Sequence, residues 1–282
     1  MNRIEVLVHP TRPVKDALDV LQRWAHTHSL ELVQVRDGEP SVAPAGQDTV
    51  SDLVVAIGGD GTVLRALHAA ARTQTPVLGV AHGSLGALTT VAPSALGGAL
   101  DRFARGDWAP RQLPALAVQP AGGRVAYAIN DLVVFRRGGT QLRVELLVDD
   151  ELYARVAGDG IVIATPLGSS AYSMAAGGPM LLAGANAFVC TPLAMHGGNA
   201  PPLVVSAGRE VKLNMTPGPS GFELEVDGKR LETPPTRVSV TTQRDYATLV
   251  SLDDSDLGIT GLRRRGLIAD SPRIVAEHHE PD

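Results

Sequence analysis

The stretch Asp52-Leu-Val-Val-Ala-Ile-Gly-Gly-Asp-Gly-Thr62 decides how the rest of the chain is read. Val54, Val55, Ala56 and Ile57 form an apolar run without polar alternation, the pattern of a strand covered on both faces in a parallel sheet. Gly58, Gly59 and Gly61 then let the backbone turn sharply, by permitting positive φ and by letting a ligand approach the main chain closely. From Val63 to Ala71 the apolar residues continue at helical spacing. Strand, glycine turn and helix are expected. Amides at such a turn and at a helix start point outward unpaired, which suits a phosphate. Asp60 does not suit one, because its charge repels it; binding Mg²⁺ or accepting a proton from a hydroxyl would explain its place. Gly-Asp-Gly is also ordinary turn chemistry, so this stretch alone leaves a plain strand-to-helix loop open.

Working upstream, Ile4 to Val8 reads as a strand, and Pro13 stands at a first helical position ahead of Val14, Ala17, Leu18, Leu21, Trp24 and Ala25, which share one helix face. Leu30 to Val35 is a second strand, and Gly38 to Gln47 a Pro/Gly-rich surface loop. Downstream, Pro76 to Val80 is another apolar strand, and His82-Gly-Ser-Leu-Gly86 is a second glycine turn. Ser94 is placed as the cap of a helix reaching about Ala104, with Leu96, Leu100 and Phe103 inward. Strands and helices alternate throughout. That alternation predicts an α/β domain with an open parallel sheet and helices on both faces, a fold that binds ligands at the carboxyl ends of its strands.

The length of 282 residues accommodates two domains and a sizeable core. A hydrophobic share of 44% against 20% charged residues describes a globular chain and not a disordered one. The net charge of -5 lacks the electrostatic footprint of a nucleic-acid binder, so no nucleic-acid partner is expected. Cys190, the single cysteine, has no internal disulfide partner, and Met1 to Val8 starts as a strand with charges in it and not as a signal peptide. With no apolar run long enough to span a bilayer, a cytoplasmic protein with no membrane partner is expected.

Near Gly106-Asp-Trp-Ala-Pro110 the period changes from helical to two. Leu142, Val144, Leu146 and Val148 alternate along one segment and Leu152, Ala154 and Val156 along the next, with Asp149-Asp150 as a hairpin tip. Val211/Leu213/Met215, Phe222/Leu224/Val226, Val238/Val240 and Thr248 to Leu252 continue the pattern. An all-β, sandwich-like domain is predicted. The expected organisation is residues 1–106 for the α/β domain, 107–255 for the β domain, and 256–282 for a tail that is a candidate to pack back on the first. In that tail Arg263-Arg-Arg265 reads as a solvated charge run, and His278-His279 as a frayed end and not a metal site.

Two constellations interrupt the β pattern. In Ala128-Ile-Asn-Asp-Leu-Val-Val134, polar Asn130 and Asp131 precede an apolar strand, and a turn accounts for them equally well. Gly158-Asp-Gly160, a strand, and then Thr165-Pro-Leu-Gly-Ser-Ser-Ala-Tyr-Ser173 with Gly177-Gly-Pro179 is too rich in small and hydroxyl residues for a core strand. Thr165, Ser169, Ser170, Tyr172 and Ser173 beside glycine-exposed backbone favour a ligand site.

Gly58-Gly-Asp-Gly-Thr62, then Asn130-Asp131, then Asp159-Gly160 with Thr165 to Ser173 and Gly177-Gly-Pro179, in this order and spacing, resembles the bacterial NAD kinases over about Leu53 to Gly228. The first motif alone is shared with lipid kinases and distantly with phosphofructokinases; the three together are specific. The resemblance implies an N-terminal α/β domain, a C-terminal β-sandwich, a site between them, and a homodimer or homotetramer. It implies Mg²⁺-dependent phosphoryl transfer from ATP or polyphosphate to the 2′-hydroxyl of the adenosine ribose of NAD, giving NADP.

Carried over residue by residue, Asp60 is the proton acceptor facing that hydroxyl, and Gly59, Gly61 and Thr62 shape the phosphate-facing turn, with Arg65 beside them. Asn130 and Asp131 hold the adenosine part, Asp159 contacts the dinucleotide, and Ser170, Ala171 and Tyr172 line its pocket. Thr165, Ala175 and Lys229 complete the set of nucleotide-binding positions. Ala81, Ala87, Ala157, Ala175, Pro201 and Lys229 depart from what the family often has there, namely asparagine, an aromatic, a basic residue, serine, arginine and glutamine. A lipid or sphingoid-base kinase would need an apolar acceptor pocket, against which Asn130-Asp131 and the hydroxyl-rich segment argue. A non-catalytic dinucleotide sensor would gain nothing from Asp60.

Overall fold

The computed structural model describes residues 1–35, 50–253 and 258–272. The Gly38–Gln47 loop and the His278-His279 end lie outside the described residues. The chain divides into two units, Met1–Arg111 with Ala247–Asp282, and Gln112–Tyr246.

The first unit begins with β1 (Arg3–Val8), α1 (Lys15–Thr27), β2 (Glu31–Val35), β3 (Leu53–Gly58), α2 (Asp60–Ala70), β4 (Val77–Ala81) and α3 (Leu96–Ala104). The strands run in the order β2-β1-β3-β4, all parallel, with Val55 opposite both Val6 and Leu78. Every residue of β3 and β4 is buried, as apolar runs in a doubly covered sheet require. Ile4, Leu53, Ile57 and Leu78 point to one face and pack with Leu21 and Trp24 of α1 and Leu96 and Leu100 of α3. Gly79 points the other way, where a methyl group on it would sit 3.1 Å from Val63 Cγ2 of α2. Helices therefore cover both faces. The indole of Trp24 donates to Asp101 Oδ1 at 2.7 Å, tying α1 to α3.

Two helix starts differ from expectation. The cap position of α1 is Val14, so Pro13 precedes the helix instead of opening it. Ser94 lies inside a single 3₁₀ turn, Pro93–Ala95, that leads into α3, and makes no capping bond. Proline at the head of that turn already fixes the backbone for helical entry.

The second unit carries β5 (Ala109–Pro120, from its fourth residue onward), β6 (Ala126–Ala128), β7 (Asp131–Arg136), β8 (Leu142–Val148), β9 (Glu151–Gly158), β10 (Gly160–Ala164), α4 (Tyr172–Ala175), β11 (Ala187–Leu193), β12 (Leu203–Ser206), β13 (Val211–Thr216), β14 (Phe222–Val226) and β15 (Lys229–Arg230), and then most of β16 (Arg237–Ser251). One antiparallel sheet runs β12-β11-β10-β7-β14-β15; in the other, β16, β13, β8 and β9 pair in turn, with β5 beside β16 and β6 beside β5. Leu132, Val134, Ile161, Ile163, Phe188 and Cys190 of the first close on Leu142, Leu146, Leu213, Met215 and Val240 of the second, the two inner faces of a sandwich. Cys190 is fully buried there, and burial pushes its thiol up to about 12. The outer face of the first sheet, with Val133, Val162 and Val189, is covered by Ala176 and Leu181 from the segment that follows β10. Asp149 and Asp150 adopt φ of 47° and 69°, as a two-residue turn between β8 and β9 requires.

Thr248 to Leu252, read from sequence as a further strand of the β domain, belong to the first unit, because Leu249 near the end of β16 pairs in parallel with Val77 of β4. The helix α5 (Ile259–Arg264) also belongs to the first unit, with Leu262 buried. The charge run there is not simply solvated: Arg263 pairs with Asp270 at 2.8 Å, and Arg265 Nε donates to the Gly261 carbonyl. Among the described residues no helix is long and apolar enough to cross a membrane.

Candidate functional site

The turn at the carboxyl end of β3 sits where a parallel sheet presents ligand sites. Gly59 caps α2, its carbonyl accepting the amides of Thr62 and Val63 at 2.9 and 3.2 Å, and Asp60 opens the helix. None of Gly58, Gly59 and Gly61 takes a positive φ, contrary to the sequence expectation. Only Gly58 is needed for space, since a methyl group on it would lie 2.4 Å from Thr62 Oγ1, whereas one on Gly61 would meet nothing within 4 Å. Thr62 is buried, with Arg65 Nη2 at 3.4 Å from its hydroxyl, so that hydroxyl is turned inward and the face open to a ligand is bare backbone.

Asp60 is anchored to the second glycine turn. Its Oδ1 accepts the amides of Leu88 and Thr89, both at 3.0 Å, and the Thr89 hydroxyl at 3.1 Å, while Oδ2 accepts the Ala87 amide at 2.8 Å. A carboxylate offers about two acceptor positions per oxygen. Oδ2 therefore keeps an acceptor position that Oδ1 has spent. Gly86 lies against both oxygens, and a methyl group there would fall 2.2 Å from Oδ1. Ala87 serves through its backbone, so the absence of an aromatic side chain at this position leaves the anchor intact.

In the second unit, Asn130 and Asp131 are held by a residue that the sequence reading passed over. The carboxylate of Asp227 accepts the amides of Ile129, Asn130 and Asp131 at 2.7, 2.8 and 3.0 Å. Asp227 and Gly228, with φ of 50° and 71°, form the two-residue turn between β14 and β15. The dipeptide signals that turn, but nothing local shows that its carboxylate reaches a segment 97 residues away. Thr165 fastens the other side, its hydroxyl donating to the Ile129 carbonyl at 2.6 Å and its amide to Asn130 O at 2.9 Å. A methyl group on Gly168 would fall 2.1 Å from that same oxygen. Asp131 is buried, and burial first, then the charges of Asp227 and Glu225, raise its carboxyl to about 7. Near neutrality it exists in both forms, able to donate or to accept a hydrogen bond.

Asp159, Tyr172 and Ala175 come together around an open depression of about 510 Å³, with Phe135, Arg136 and Ala194 among its other walls. Arg136 Nε donates to Asp159 Oδ1 at 2.5 Å. Asn130, Asp131, Thr165 and Ser170 do not line this depression. Gly160 and Ala164, the ends of β10, face Phe135 and Asp131, so Asp159 and Asp131 stand at opposite ends of the β7–β10 pair, on the order of 15–20 Å apart.

The hydroxyl-rich segment offers less to a ligand than its composition promises. Ser169 is buried and bonds to Pro166 O and the Leu181 amide at 2.7 and 2.8 Å; Ser173 is buried against Thr191 Oγ1 at 2.8 Å. Ser170 turns back to Leu167 O at 3.1 Å. Ser169 and Ser170 thus satisfy backbone of the segment that covers the sheet, and Ser173 ties it to β11. Tyr172, half exposed, and Ala171, exposed, remain at the surface. Lys229 is exposed on β15, beside the Asp227–Gly228 turn and away from the depression.

A parallel α/β unit whose glycine turn presents one anchored carboxylate, followed in the chain by a β-sandwich with clustered acids and amides, defines a phosphoryl-transferring enzyme. Residues 14–108 match the family model described as the ATP-NAD kinase N-terminal domain, and residues 129–252 the ATP-NAD kinase C-terminal domain. The chain belongs to the NAD kinase family. The NAD kinase of Chlorobaculum tepidum is 35% identical over 205 residues, 71% of each chain, and that of Heliobacterium modesticaldum 34% over 243 residues, 81% of this chain and 85% of the relative. Two solved structures share the fold. An NAD kinase from Archaeoglobus fulgidus in complex with ATP gives a TM-score of 0.76 at 22% identity, covering 95% of this chain and 100% of that one. Yeast NADH kinase complexed with NADH gives 0.81 at 20% identity, covering 96% and 89%.

Proposed function

We propose that the chain transfers the terminal phosphoryl group of ATP to the 2′-hydroxyl of the adenosine ribose of NAD, making NADP. The observation that carries the reading is the Asp60 carboxylate, anchored through four donors with an acceptor position left on Oδ2, beside a turn of bare backbone. Phosphoryl transfer asks mainly for positioning and neutralisation of charge. Asp60 orients the ribose hydroxyl and takes its proton late, as the new O–P bond forms, because a carboxylate is a weak base for an unactivated hydroxyl. Amides at the start of the turn, from Gly59 to Gly61, receive phosphate oxygens, with Thr62 buried behind them and Arg65 close by.

Asn130 and Asp131, fixed by Asp227 and Thr165, hold the adenosine part. Asp159, Ala171, Tyr172 and Ala175 receive the remainder of the dinucleotide, and Ser170 and Lys229, outside the depression that Asp159 lines, complete the nucleotide-binding set. Magnesium, bound to the triphosphate, would neutralise its oxygens. The resemblance further supports a homodimer or homotetramer, and the lone cysteine with no apolar run long enough for a bilayer supports the cytoplasm.

The test is turnover of NAD with ATP and Mg²⁺ by the wild type and by Asp60→Asn. The variant should bind NAD and retain its melting temperature, yet lose about 10²–10⁴-fold in kcat. An unchanged kcat would remove Asp60 from its role. Running polyphosphate in place of ATP decides the donor, and a wild type that leaves NAD unphosphorylated overturns the reaction itself.

A further inference from the structure

We infer that Thr89 positions Asp60 for proton transfer, and that it makes Oδ2 the oxygen that meets the ribose; the inference rests on the role given to Asp60 above. Thr89 is 1% exposed. Its hydroxyl accepts the Gly86 amide at 2.8 Å and stands 3.1 Å from Asp60 Oδ1, while its own amide donates to the same oxygen at 3.0 Å. A hydroxyl has one proton to give. With the Gly86 amide directed at its lone pair, that proton goes to Asp60, and the order of donors and acceptors along the chain of bonds is fixed.

The consequence is an asymmetric carboxylate. Oδ1 carries three donors, one of them a side chain, and Oδ2 carries one, the Ala87 amide. Rotation about Cβ–Cγ, which would exchange the two oxygens, has to break the bonds to Thr89. Gly86 leaves the carboxylate the room it occupies, since a methyl group there would fall 2.2 Å from Oδ1 and 2.5 Å from Oδ2. The neighbouring Leu88 is buried, so the loop that carries Thr89 is itself held down. Loss of the hydroxyl removes one of four bonds, and a partial effect on turnover follows.

Thr89→Val deletes the hydroxyl at nearly constant shape, and Thr89→Ser keeps it. The valine variant should lose about ten-fold in kcat with the KM for NAD within about two-fold of wild type, and the serine variant should recover most of that turnover. In an Asp60→Asn background the valine change should add nothing, because the group it positions is already disabled; a merely structural role would add its cost in both backgrounds. Gly86→Ala presses on the same carboxylate while keeping both the Thr89 hydroxyl and the amide that donates to it, and should reproduce the kcat loss. Wild-type kcat in both Thr89→Val and Gly86→Ala, or a serine variant as slow as valine, overturns the inference. If Asp60→Asn turns over normally, the reading of Asp60 falls; if it is inactive while Thr89→Val is unaffected, only the positioning role falls.

Discussion

Asp227 holds Asn130 by its main chain, Oδ1 accepting the Asn130 amide at 2.8 Å across 97 residues of sequence. The same carboxylate takes the amides on either side, so the backbone of Ile129–Asp131 is fixed from one point.

Asp227→Ala removes all three acceptor contacts and leaves the amide of fully buried Ile129 without its partner. A loss of about 3 kcal/mol in unfolding free energy is expected, together with a raised KM for NAD. Urea denaturation and steady-state kinetics measure the two. A variant as stable as wild type would show that Asp227 is not what orders the segment.

Asp131 makes stability depend on pH. Its carboxyl is raised from an ordinary 3.8 to about 7 by burial and by Asp227 and Glu225. The folded chain thus keeps a proton that the unfolded chain has released, and ∂ΔG/∂pH is negative between those values. The stabilisation is full below about pH 4 and is lost as pH rises through about 7, by a few kcal/mol at most. Urea midpoints at pH 5 and pH 8 should fall in the wild type and fall less in Asp131→Asn; parallel profiles would refute this.

Arg136 and Asp159 are each about a third or more exposed, so their pair contributes under about 1 kcal/mol to stability. Arg136→Met should leave the melting temperature almost unchanged. The KM for NAD should nevertheless rise several-fold at constant kcat, because Asp159 loses the group that orients it toward the depression. An unchanged KM would separate Asp159 from the dinucleotide.

Ala87 acts through its backbone alone, its amide donating to Asp60 and its carbonyl accepting Arg111 Nη1 at 3.3 Å. Ala87→Tyr should keep the bond to Asp60 and add a stacking surface worth about 1 kcal/mol, tightening NAD several-fold without altering kcat. Calorimetric titration of NAD decides it, and equal affinities would place the adenine elsewhere.

Much of this was legible in the sequence because burial leaves a pattern. β3 is a strand covered on both faces and reads as an unbroken apolar run, β8 and β13 alternate because one face is solvated, and Asp149-Asp150 needed only the preferences of a two-residue turn. What stayed hidden depends on contacts between distant segments. The hydroxyls of Ser169 and Ser173 look available in the sequence, but the segment folds back over a sheet, where Ser169 bonds the segment's own backbone and Ser173 the Thr191 hydroxyl of β11. Thr89 follows the second glycine turn and Asp227 opens the turn between β14 and β15, and nothing nearby announces that one grips Asp60 and the other the Asn130 amide. Thr248 to Leu252 carry the same apolar character whichever unit they join, so only the pairing of Leu249 with Val77 assigns them.

Cys190 has one more use. The only sulfhydryl in the chain is sealed between two sheets, with its titration displaced far above physiological pH, so little reactive thiolate is available to an alkylating reagent. The native protein is therefore a silent background for site-directed labelling. A cysteine placed at exposed Tyr172 or Lys229 could carry a fluorophore without first deleting the natural one, and nucleotide occupancy could then be followed optically.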